Sequence, residues 1–286
     1  MRTTIAKHEM LRFDEKIAIG VSGGKDSMTL LHILNKLEKP FPKAKLVAIT
    51  IDEGIEGYRN EAVRIAEKGC SKIEVAHVVV SFKESFGHSM DEVVQNLKAK
   101  DMDDKGLTPC AYCGVLRRRT LNSAARHVKA TRLAVAHNLD DEIQTFLLNI
   151  FHGDLLRLAR IEPASSSPLS SFVPRIKPLC SVLEREITLY AFLKKIDFQT
   201  TPCPYSHRAL RNDIRAMLNR MEEKHPGLKY TTYRSGEKVR ASVRDTMKTS
   251  EMRNCSICGE PSAADLCQTC KILRIFDSEK HSTQQA

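Results

Sequence analysis

Six of the nine cysteines form three C-x-x-C pairs, and this spacing is typical of metal ligands or redox-active thiols. The pairs are Cys110/Cys113, Cys255/Cys258 and Cys267/Cys270, whereas Cys70, Cys180 and Cys203 are single. An odd number of cysteines, together with an N-terminus that has no apolar signal segment, argues against a framework of disulfide bonds. We therefore expect a reducing, cytoplasmic environment in which some of these thiols bind metal.

The two C-terminal cysteine pairs enclose only the eight residues from Gly259 to Leu266. Two C-x-x-C knuckles this close predict a zinc site with four cysteine ligands, namely Cys255, Cys258, Cys267 and Cys270. The segment is too short to fold around an apolar core of its own, so it needs a metal. Because four thiolates complete the zinc tetrahedron, we expect a structural rather than a catalytic ion.

A run of sequence S-G-G-K-D-S, at positions 22–27, lies between a predicted strand and a predicted helix. Two glycines let backbone N–H groups approach an anion closely, and a helix N-terminus adds unpaired donors and the positive end of its dipole. The spacing matches neither the Walker A motif nor the dinucleotide motif G-x-G-x-x-G. An ordinary β–α turn capped by serine is the alternative, but the order of strand, run and helix favours a phosphate-binding loop.

A second polar run, H-N-L-D-D-E at positions 137–142, follows another predicted strand. Helix capping explains part of it, with Asn138 as the N-cap and the acidic residues opposing the helix dipole. Its position at a strand end that faces the phosphate loop favours a functional role. Mg²⁺ binding and proton transfer are the roles open to its carboxylates.

Predicted strands alternate with predicted helices over the first 200 residues. The strands are Lys16–Val21, Lys45–Ile51, Ile73–Val80 and Arg132–Ala136. The helices are Ser27–Lys39, Glu56–Gly69, Met90–Lys98, Tyr112–Val128, Leu139–Phe151, Leu183–Lys195 and Leu210–Lys224, with exposed loops at Lys100–Pro109 and Glu162–Pro178. Alternation of this kind predicts an α/β fold, a parallel sheet with helices on both faces. Ligands should then bind beyond the carboxyl ends of the strands, after Val21, Ile51 and Ala136.

Composition and charge exclude several classes of protein and favour a polyanionic partner. The 286 residues are 42% hydrophobic and 28% charged, which is a globular composition, and no apolar stretch approaches the ~20 residues of a membrane span. Lys and Arg exceed Asp and Glu by 45 to 35, a net charge of +10. Between Lys105 and Leu139 there is no acidic residue, and the seven basic ones are Lys105, Arg117, Arg118, Arg119, Arg126, Lys129 and Arg132. A solvated helix face explains such a run equally well, but its position beside a cysteine pair favours contact with an RNA backbone.

Taken together, these motifs resemble the tRNA 2-thiouridine synthetases of the TtuA type, a branch of the PP-loop ATP pyrophosphatases with a HUP-like sheet. The matching segments are positions 22–27, 52–55 (D-E-G-I), 110–119 (C-A-Y-C-G-V-L-R-R-R) and 137–141, and the lone Cys203. The run C-G-V-L-R-R-R is similar to the branch that thiolates the wobble uridine in the cytoplasm of archaea and eukaryotes. The resemblance extends over nearly the whole chain.

The resemblance implies that ATP is cleaved to AMP and pyrophosphate while O2 of a uridine is adenylated and then replaced by sulfur. Its implied phosphate-binding residues, with Mg²⁺ bridging the phosphates, are Ser22, Gly23, Gly24, Lys25, Asp26 and Ser27. Adenine is expected near Gly20, Ile51, Asp52 and Ala136. Arg117 is expected to reach ATP or the active site, and Asp141 is the residue required for activity.

The resemblance also implies a 4Fe-4S cluster bound by Cys110, Cys113 and Cys203. Three thiolates leave the fourth iron open to hydrosulfide, so one hypothesis is that this iron carries the attacking sulfur. The rival mechanism places a persulfide on Cys110 or Cys203, which a second cysteine resolves as a disulfide. The sequence does not separate the two.

Two other functional classes remain open from the sequence. One is a PP-loop enzyme that transfers a nitrogen nucleophile, such as an amide-forming ligase or a lysidine-type synthetase, which has no need of three cluster cysteines. The other is a non-catalytic RNA-binding zinc protein, which would not convert ATP to AMP. For the thiolase, the expected partners are tRNA, a thiocarboxylated ubiquitin-like carrier or sulfide as the sulfur source, and a second copy of the chain in a homodimer.

The domain organisation expected from the sequence has five parts. They are an N-terminal lead over 1–15, a PP-loop domain with the cluster site over 16–204, a helical, basic connector over 205–250, a zinc ribbon over 251–275 and a tail over 276–286. Members of the resembling family usually carry another cysteine-rich ribbon before the ATP domain. We expect it to be absent here, which would weaken tRNA binding without affecting the nucleotide or cluster site.

Overall fold

A computed structural model describes most of the chain, namely residues 1–99, 108–165, 171–206, 210–246 and 253–277. Several sequence predictions lie partly or wholly outside these described residues. They are most of the loop Lys100–Pro109 with Lys105, residues 166–170 of the loop Glu162–Pro178, parts of the connector and the ribbon at 207–209 and 247–252, and the tail from 278 onwards.

Five parallel strands form the central sheet, and their residues are mostly β-branched or small. The strands are β1 (Lys16–Gly20), β2 (Lys45–Asp52), β3 (Ala76–Ser81), β4 (Arg132–Ala134) and β5 (Arg175–Ile176), and they lie in the order β3-β2-β1-β4-β5. Every adjacent pair of strands in this sheet is parallel. The predicted parallel α/β sheet is therefore confirmed.

Helices follow most of the strands, and a small two-stranded hairpin lies near the C-terminus. The helices are α1 (Arg2–Lys7), α2 (Lys25–Glu38), α3 (Arg59–Lys72), α4 (Phe82–Phe86), α5 (Met90–Ala99), α6 (Pro109–His127), α7 (Leu139–Phe151), α8 (Leu155–Ala159), α9 (Glu184–Leu193), α10 (Leu210–Lys224), α11 (Leu228–Thr246) and α12 (Gln268–Asp277). The hairpin pairs β6 (Arg253–Asn254) with β7 (Pro261–Ser262) in antiparallel orientation. No described helix has the length and apolar character needed to cross a bilayer.

The core consists of two apolar layers, one on each face of the sheet. Ile17 and Ile19 of β1 point to the layer that contains Leu30 and Leu34 of α2. Ala18, between them, points to the opposite layer, which contains Leu116 of α6. Since successive strand residues face opposite sides, this alternation shows that β1 is covered on both faces, as predicted.

The strand order reverses beside β1, and this reversal positions the candidate site. The chain moves from β1 outward to β2 and β3, then returns to place β4 on the other side of β1. Loops after β1 and β4 therefore lie on either side of a crevice at the carboxyl edge of the sheet. Open α/β sheets bind their ligands in this crevice.

Several element boundaries differ from the sequence prediction. Helix α6 begins at Pro109 rather than Tyr112, because proline is favoured at the first helical position, where its missing N–H is not needed. The predicted loop Glu162–Pro178 contributes β5, which is too short to show a hydrophobic pattern. Helix α11 lies within the predicted connector, and its mixed composition carries no clear helical periodicity.

Helices α10 and α11 pack against α7, and buried charges fix their position. Lys229 of α11 pairs with Asp140 at the start of α7. Glu142, also on α7, accepts from Lys177 at 2.7 Å and from Arg240 of α11 at 3.4 Å. These carboxylates are almost fully buried, so each needs its cationic partners to remain ionised.

Candidate active site at the carboxyl edge of the sheet

The loop between β1 and α2 is held open by its own serine side chains. The Ser22 N–H donates to Ser27 Oγ at 3.0 Å, and the Ser27 hydroxyl donates to the Gly24 carbonyl at 2.9 Å. The two serine Oγ atoms lie 3.1 Å apart. This arrangement leaves the first N–H groups of α2 directed into the crevice, where they can bind an anion.

Gly23 is the position of this loop that only glycine can occupy. Its φ is +82°, and a Cβ there would lie 2.5 Å from the Ala62 carbonyl oxygen of α3. Both the backbone conformation and the close approach of α3 therefore exclude other residues. The loop is pressed against α3 at this point, which fixes its shape before any ligand binds.

Four charged groups crowd together at the start of α2. Lys25 Nζ lies 2.5 Å from Glu184 and 3.2 Å from Asp26. Burial raises the pKa of Asp26 against the opposing effect of Lys25, and the nearby Asp141 and Glu184 carboxylates raise it further. Asp26 Oδ1 is buried and has no hydrogen-bond partner among the described residues. The unpaired Asp26 Oδ1 is a carboxylate oxygen, the type of ligand that Mg²⁺ prefers.

Asp141 lies across the crevice from Asp26 and is held by the capping box of α7. Its N–H donates to Asn138 Oδ1 at 2.9 Å, while its own Oδ2 accepts from the Asn138 N–H at 3.2 Å. Oδ1 faces Arg211 of α10 at 3.5 Å. Burial raises the pKa of Asp141 despite these donors. One Asp141 oxygen therefore caps α7 and the other pairs with Arg211, and the functional role of this carboxylate stays a prediction.

The preceding residue, His137, stands among cations. Although part of its ring is accessible to solvent, burial within the crevice and the charge of Lys177 lower its pKa to about 4. His137 is therefore neutral at pH 7.

Residues predicted to surround adenine share one edge of the sheet. Gly20 ends β1, Ile51 and Asp52 end β2, and Ala136 follows β4, the strand on the other side of β1. The Asp52 side chain is used locally, because its Oδ1 accepts from the Gly54 N–H at 2.9 Å. Backbone atoms and the Ile51 side chain are left to define the expected adenine pocket.

A buried glutamate, Glu53, joins this edge to the first cysteine pair. Its two carboxylate oxygens form ion pairs, Oε2 with Arg59 Nε at 2.6 Å and Oε1 with Arg117 Nε at 2.9 Å. Arg59 also donates to the Ser22 carbonyl at 3.0 Å and to the Ile51 carbonyl. Arg117 donates to Cys113 Sγ at 3.1 Å. One carboxylate thus fixes two arginines, of which one shapes the phosphate loop and the other touches a candidate cluster ligand.

Cys110 and Cys113 lie on the first turns of α6, and a loop brings Cys203 to them. This loop is tied to the phosphate loop, because the Gln199 N–H donates to the Gly23 carbonyl at 2.9 Å. Just past Cys203, the Tyr205 carbonyl accepts from Cys110 Sγ at 3.4 Å. Burial raises the pKa of Cys110, and the neighbouring charges of Cys203 and Cys113 raise it further, since all three thiols are close.

The donor set at these three cysteines fits an iron–sulfur cluster better than a single ion. Among the described residues, one group of three or more potential metal ligands has all its donor atoms within 4.8 Å of one another. This group consists of the four C-terminal cysteines. Cys110, Cys113 and Cys203 converge without meeting that closely. A cluster of four irons is larger than one ion, so its thiolate ligands stand further apart, and soft thiolates favour it.

The C-terminal cysteines form a separate, compact group. The sulfur atoms of Cys255, Cys258, Cys267 and Cys270 all lie within 4.8 Å of one another. Backbone N–H groups orient them, for example from Cys267 to Cys255 Sγ at 3.3 Å. Four thiols at this spacing match the tetrahedral donor set of zinc. Glu260, between the two pairs, binds Arg119 and Arg126 of α6 and so attaches the ribbon to the helix that carries Cys110.

Most of the predicted basic run is neutralised by carboxylates rather than exposed for RNA. Arg119 and Arg126 share Glu260, Arg132 pairs with Glu15, and Arg117 pairs with Glu53. Arg118 and Lys129 form no ion pair with a carboxylate in the part of the chain that the structure describes. The net positive charge of the sequence run therefore overstates the charge available to a polyanion.

The site includes residues that the sequence did not single out. Glu53 was visible within the run D-E-G-I, but nothing in that run identified it as the ion-pair partner of two arginines. Arg59, Glu184 and Gln199 carry no motif. Each contacts a residue of the phosphate loop that lies 37 to 176 positions away, namely Ser22, Lys25 and Gly23, respectively. Contacts of this range follow from the fold rather than from local pattern.

The sheet order, the loop after β1 and the crevice define a nucleotide-binding PP-loop protein. The sequence profile of the PP-loop domain family matches residues 2–222, well over half of the chain, and the protein belongs to this family. The resemblance inferred from its motifs is confirmed.

Its relatives are proteins of tRNA thiolation. The chain is 37% identical over 269 residues to the tRNA 2-thiolation protein NcsA of Haloferax volcanii, covering 91% of this chain and 82% of that protein. It is 35% identical over 272 residues to cytoplasmic tRNA 2-thiolation protein 1 of Danio rerio, covering 94% and 77%. Among solved structures it resembles the U34-tRNA thiolase NcsA of Methanococcus maripaludis with its 4Fe-4S cluster, with a TM-score of 0.81, 33% identity and coverage of 96% and 85%.

Proposed function

We propose that the protein is an ATP-dependent tRNA sulfurtransferase that forms 2-thiouridine. The observation that carries this proposal is the physical continuity of two sites. The phosphate loop binds the Cys203 loop through Gln199, and it binds the helix of Cys113 through Arg59, Glu53 and Arg117. An adenylated uridine and a sulfur donor need this adjacency, because the carbonyl must be activated within reach of the sulfur.

At the nucleotide end, the residues of the chain bind and orient ATP. The first N–H groups of α2, which have no side-chain cap, are suited to the pyrophosphate oxygens. Ser22 and Ser27 add hydroxyl donors, and Lys25 adds charge once it leaves Glu184. Asp26 and Asp141, whose carboxylates interact electrostatically, are the residues that would hold Mg²⁺. AMP then leaves in place of oxide, which is a poor leaving group.

At the sulfur end, Cys110, Cys113 and Cys203 would bind the 4Fe-4S cluster. When bound by three thiolates, the cluster supplies a coordination position that is open to a sulfur species. Arg117 orients Cys113, and the Tyr205 carbonyl orients Cys110. The persulfide mechanism uses the same cysteines, and iron content separates the two, because a persulfide enzyme stays active without iron.

The position of the uridine and the source of the sulfur are finer parts of the proposal. Relatives are named for U34-tRNA thiolation, which supports the wobble uridine as the target. Sulfide or a thiocarboxylated ubiquitin-like carrier would supply the sulfur, and parallel assays with each donor distinguish them.

The proposed organisation keeps the catalytic unit within 16–204 and assigns zinc to the ribbon at 251–275. Cys255, Cys258, Cys267 and Cys270 would hold the ion, and Glu260 would transmit its position to α6. The connector at 205–250 supplies Arg211, which faces Asp141. Residues 1–15 and 276–286 would take no part in the chemistry.

A homodimer and a cytoplasmic location complete the proposal. Helix α9 exposes Leu189, Phe192 and Leu193 by 58%, 77% and 67%, and a second copy of the chain would cover such an apolar face. The name of the relative from Danio rerio supports the cytoplasm. Analytical ultracentrifugation of the reconstituted protein, compared with a Phe192→Ser variant, tests the dimer.

The proposed function is tested by ATP turnover that depends on tRNA. Reconstituted protein should release AMP and pyrophosphate in the presence of an unmodified tRNA transcript. Asp26→Asn should lower this turnover strongly, because it removes charge from the carboxylate group of the crevice. Equal AMP formation with and without tRNA would contradict the proposal.

A further inference from the structure

A pocket of about 510 Å³ lies between α6, the segment that leads to β5, and the zinc ribbon. Its lining is strongly basic on the side of the catalytic domain, where Arg118, Arg119, Arg160 and Arg175 contribute. The ribbon side contributes Glu260. This pocket is separate from the phosphate loop, none of whose residues lines it.

The pocket is lined by more positively charged than negatively charged side chains. Glu260 is occupied by Arg119 from within the pocket and by Arg126 from outside it. Arg118 and Arg175 have no carboxylate partner among the residues that the structure describes. Arg175 Nη2 donates to the Arg118 backbone carbonyl at 3.1 Å, which holds the Arg175 side chain against α6. Burial and the charge of Arg118 lower the pKa of Arg175 to about 10.

The location of Arg118 relates the pocket to the proposed sulfur site. Its guanidinium folds back over Gly114, so that a Cβ there would lie 3.4 Å from Arg118 Nη1. Gly114 directly follows Cys113, and glycine at this position leaves room for the guanidinium. The two unpaired cations therefore line a pocket that begins beside the cysteine-bearing turns of α6.

Arg118 and Arg175 line the same pocket and their charges repel each other, and an anion bound in the pocket would offset both charges. Guanidinium forks match phosphate oxygens in a bidentate geometry, which favours phosphate over a single carboxylate. The volume admits a phosphodiester group with part of its sugars, and the pocket is open to the surface between the ribbon and the domain.

We propose that this pocket binds a phosphodiester group of the tRNA substrate through Arg118 and Arg175, beside the uridine that is modified. The proposal rests on the proposed function, since it names the surface on which that substrate is held. It also assigns a role to the ribbon, which closes one wall of the pocket and neutralises Arg119 so that the anion is directed to Arg118.

The test measures the affinity of the reconstituted protein for an unmodified tRNA transcript at salt concentrations between 50 and 200 mM. Variants that lack one or two positive charges are compared with the parent protein. Arg118→Gln removes a guanidinium that supports no described ion pair, so the fold should be retained. Arg126→Gln is the matched control, because it removes the same charge from the same helix outside the pocket. An Arg118→Gln/Arg175→Gln double variant removes both proposed contacts.

Each lost phosphate contact should make the plot of log affinity against log salt shallower by about 0.7 to 0.9. We expect this change for Arg118→Gln, about twice the change for the double variant, and no change of slope for Arg126→Gln. At 100 mM salt the Arg118→Gln variant should bind tRNA roughly fivefold more weakly than the control.

Two results would overturn the inference in distinguishable ways. If the unmodified protein binds tRNA but Arg118→Gln and Arg126→Gln have the same affinity and slope, the pocket does not bind the RNA backbone, and the proposed function stands. The inference is also overturned, and the proposed function stands, if Arg118→Gln weakens binding of ATP or of an acidic peptide and leaves tRNA binding unchanged. If the unmodified protein does not bind tRNA at all, the proposed function fails as well.

Discussion

The two cysteine groups of the molecule are built in opposite ways. In the ribbon, four sulfur atoms already lie within 4.8 Å of one another, held by short turns and backbone N–H groups. At the edge of the sheet, Cys110, Cys113 and Cys203 are held by long-range contacts with the phosphate loop and with buried charges. The ribbon can be read from local spacing, whereas the second group depends on the whole fold.

The two groups differ in the number of their ligands and in how the fold holds those ligands. These two properties separate a structural site from a reactive one. Four thiolates complete the coordination of one zinc ion and leave no position for a substrate. Three thiolates leave a position open, and a reactive centre must then be placed accurately relative to the nucleotide. The contacts through Gln199 and Glu53 provide that placement.

The largest effect is expected from Cys203→Ala. Removing one of three ligands should lower the iron content well below the about four irons per chain of a full cluster and reduce thiolation by at least about 100-fold. The matched control is Cys70→Ala, because burial raises the pKa of that thiol to about 11 and keeps it unreactive. Iron analysis and nucleoside analysis check both variants, and a Cys203→Ala protein with full iron and full activity would contradict the assignment.

A smaller but clear effect is expected from Glu53→Gln, which leaves the buried Arg59 without its anion. Removing one partner of a buried ion pair costs about 3 kcal/mol in the free energy of unfolding. The Michaelis constant for ATP should also rise, since Arg59 supports the Ser22 carbonyl. Denaturant unfolding and steady-state kinetics measure the two effects.

Glu56→Gln is the control for this change, because Glu56 is exposed and lies three residues further along the chain. Its unfolding free energy and its kinetics should remain within error of the parent protein. Equal behaviour of the two variants would show that Glu53 does not couple the two sites.

The ribbon should be separable from the chemistry. Cys258→Ser should lose the single zinc ion and expose the ribbon to proteolysis, because Ile272 and the Glu260 contacts no longer hold it on α6. Iron content and the affinity for ATP should be retained. Ile257→Ser, at an exposed position within the same knuckle, should retain zinc. Loss of iron from Cys258→Ser would show that the two cysteine groups are not independent.

The smallest effect concerns the pH dependence of stability. Since the pKa of His137 is about 4 in the folded protein and about 6.5 when unfolded, the unfolded chain binds more protons between these values. The contribution of His137 is therefore present above pH 6.5 and is lost as the pH falls toward 4. Denaturant unfolding at pH 7 and pH 5 should show a smaller loss for His137→Gln than for the parent or for His152→Gln. An identical loss in all three would refute this assignment.

Local sequence patterns predicted a large part of the fold. Of the candidate site, they predicted the phosphate loop and the cysteine pairs but not the contacts that connect them. The run at 22–27, the strand alternation and the C-terminal knuckles each follow from neighbouring residues, and the structure contains the corresponding loop, sheet and sulfur group. The charge of the basic run at α6 is partly neutralised by Glu15, Glu53 and Glu260, which lie far away in the sequence, and contact of the run with RNA stays a prediction. The net charge of a sequence segment counts every charged residue in it. A binding partner interacts with the charges that remain unpaired in the folded protein.

The same reasoning explains why the connection between the two sites was missed. Gln199 and Gly23 are 176 positions apart, and Glu53 and Arg117 are 64 apart, so no motif contains both partners. Short strands such as β5, with two residues, have no periodicity to detect. Tertiary contacts decide these features.

The central claim, that the nucleotide crevice and the three cysteines act together in sulfur transfer, is tested most directly by nucleoside analysis. An unmodified tRNA transcript is incubated anaerobically with the iron-reconstituted protein, ATP and sulfide. We predict 2-thiouridine that requires ATP, iron and Cys203 together. Formation of 2-thiouridine without ATP, or its absence when the protein carries a full cluster and turns over ATP, would contradict the account.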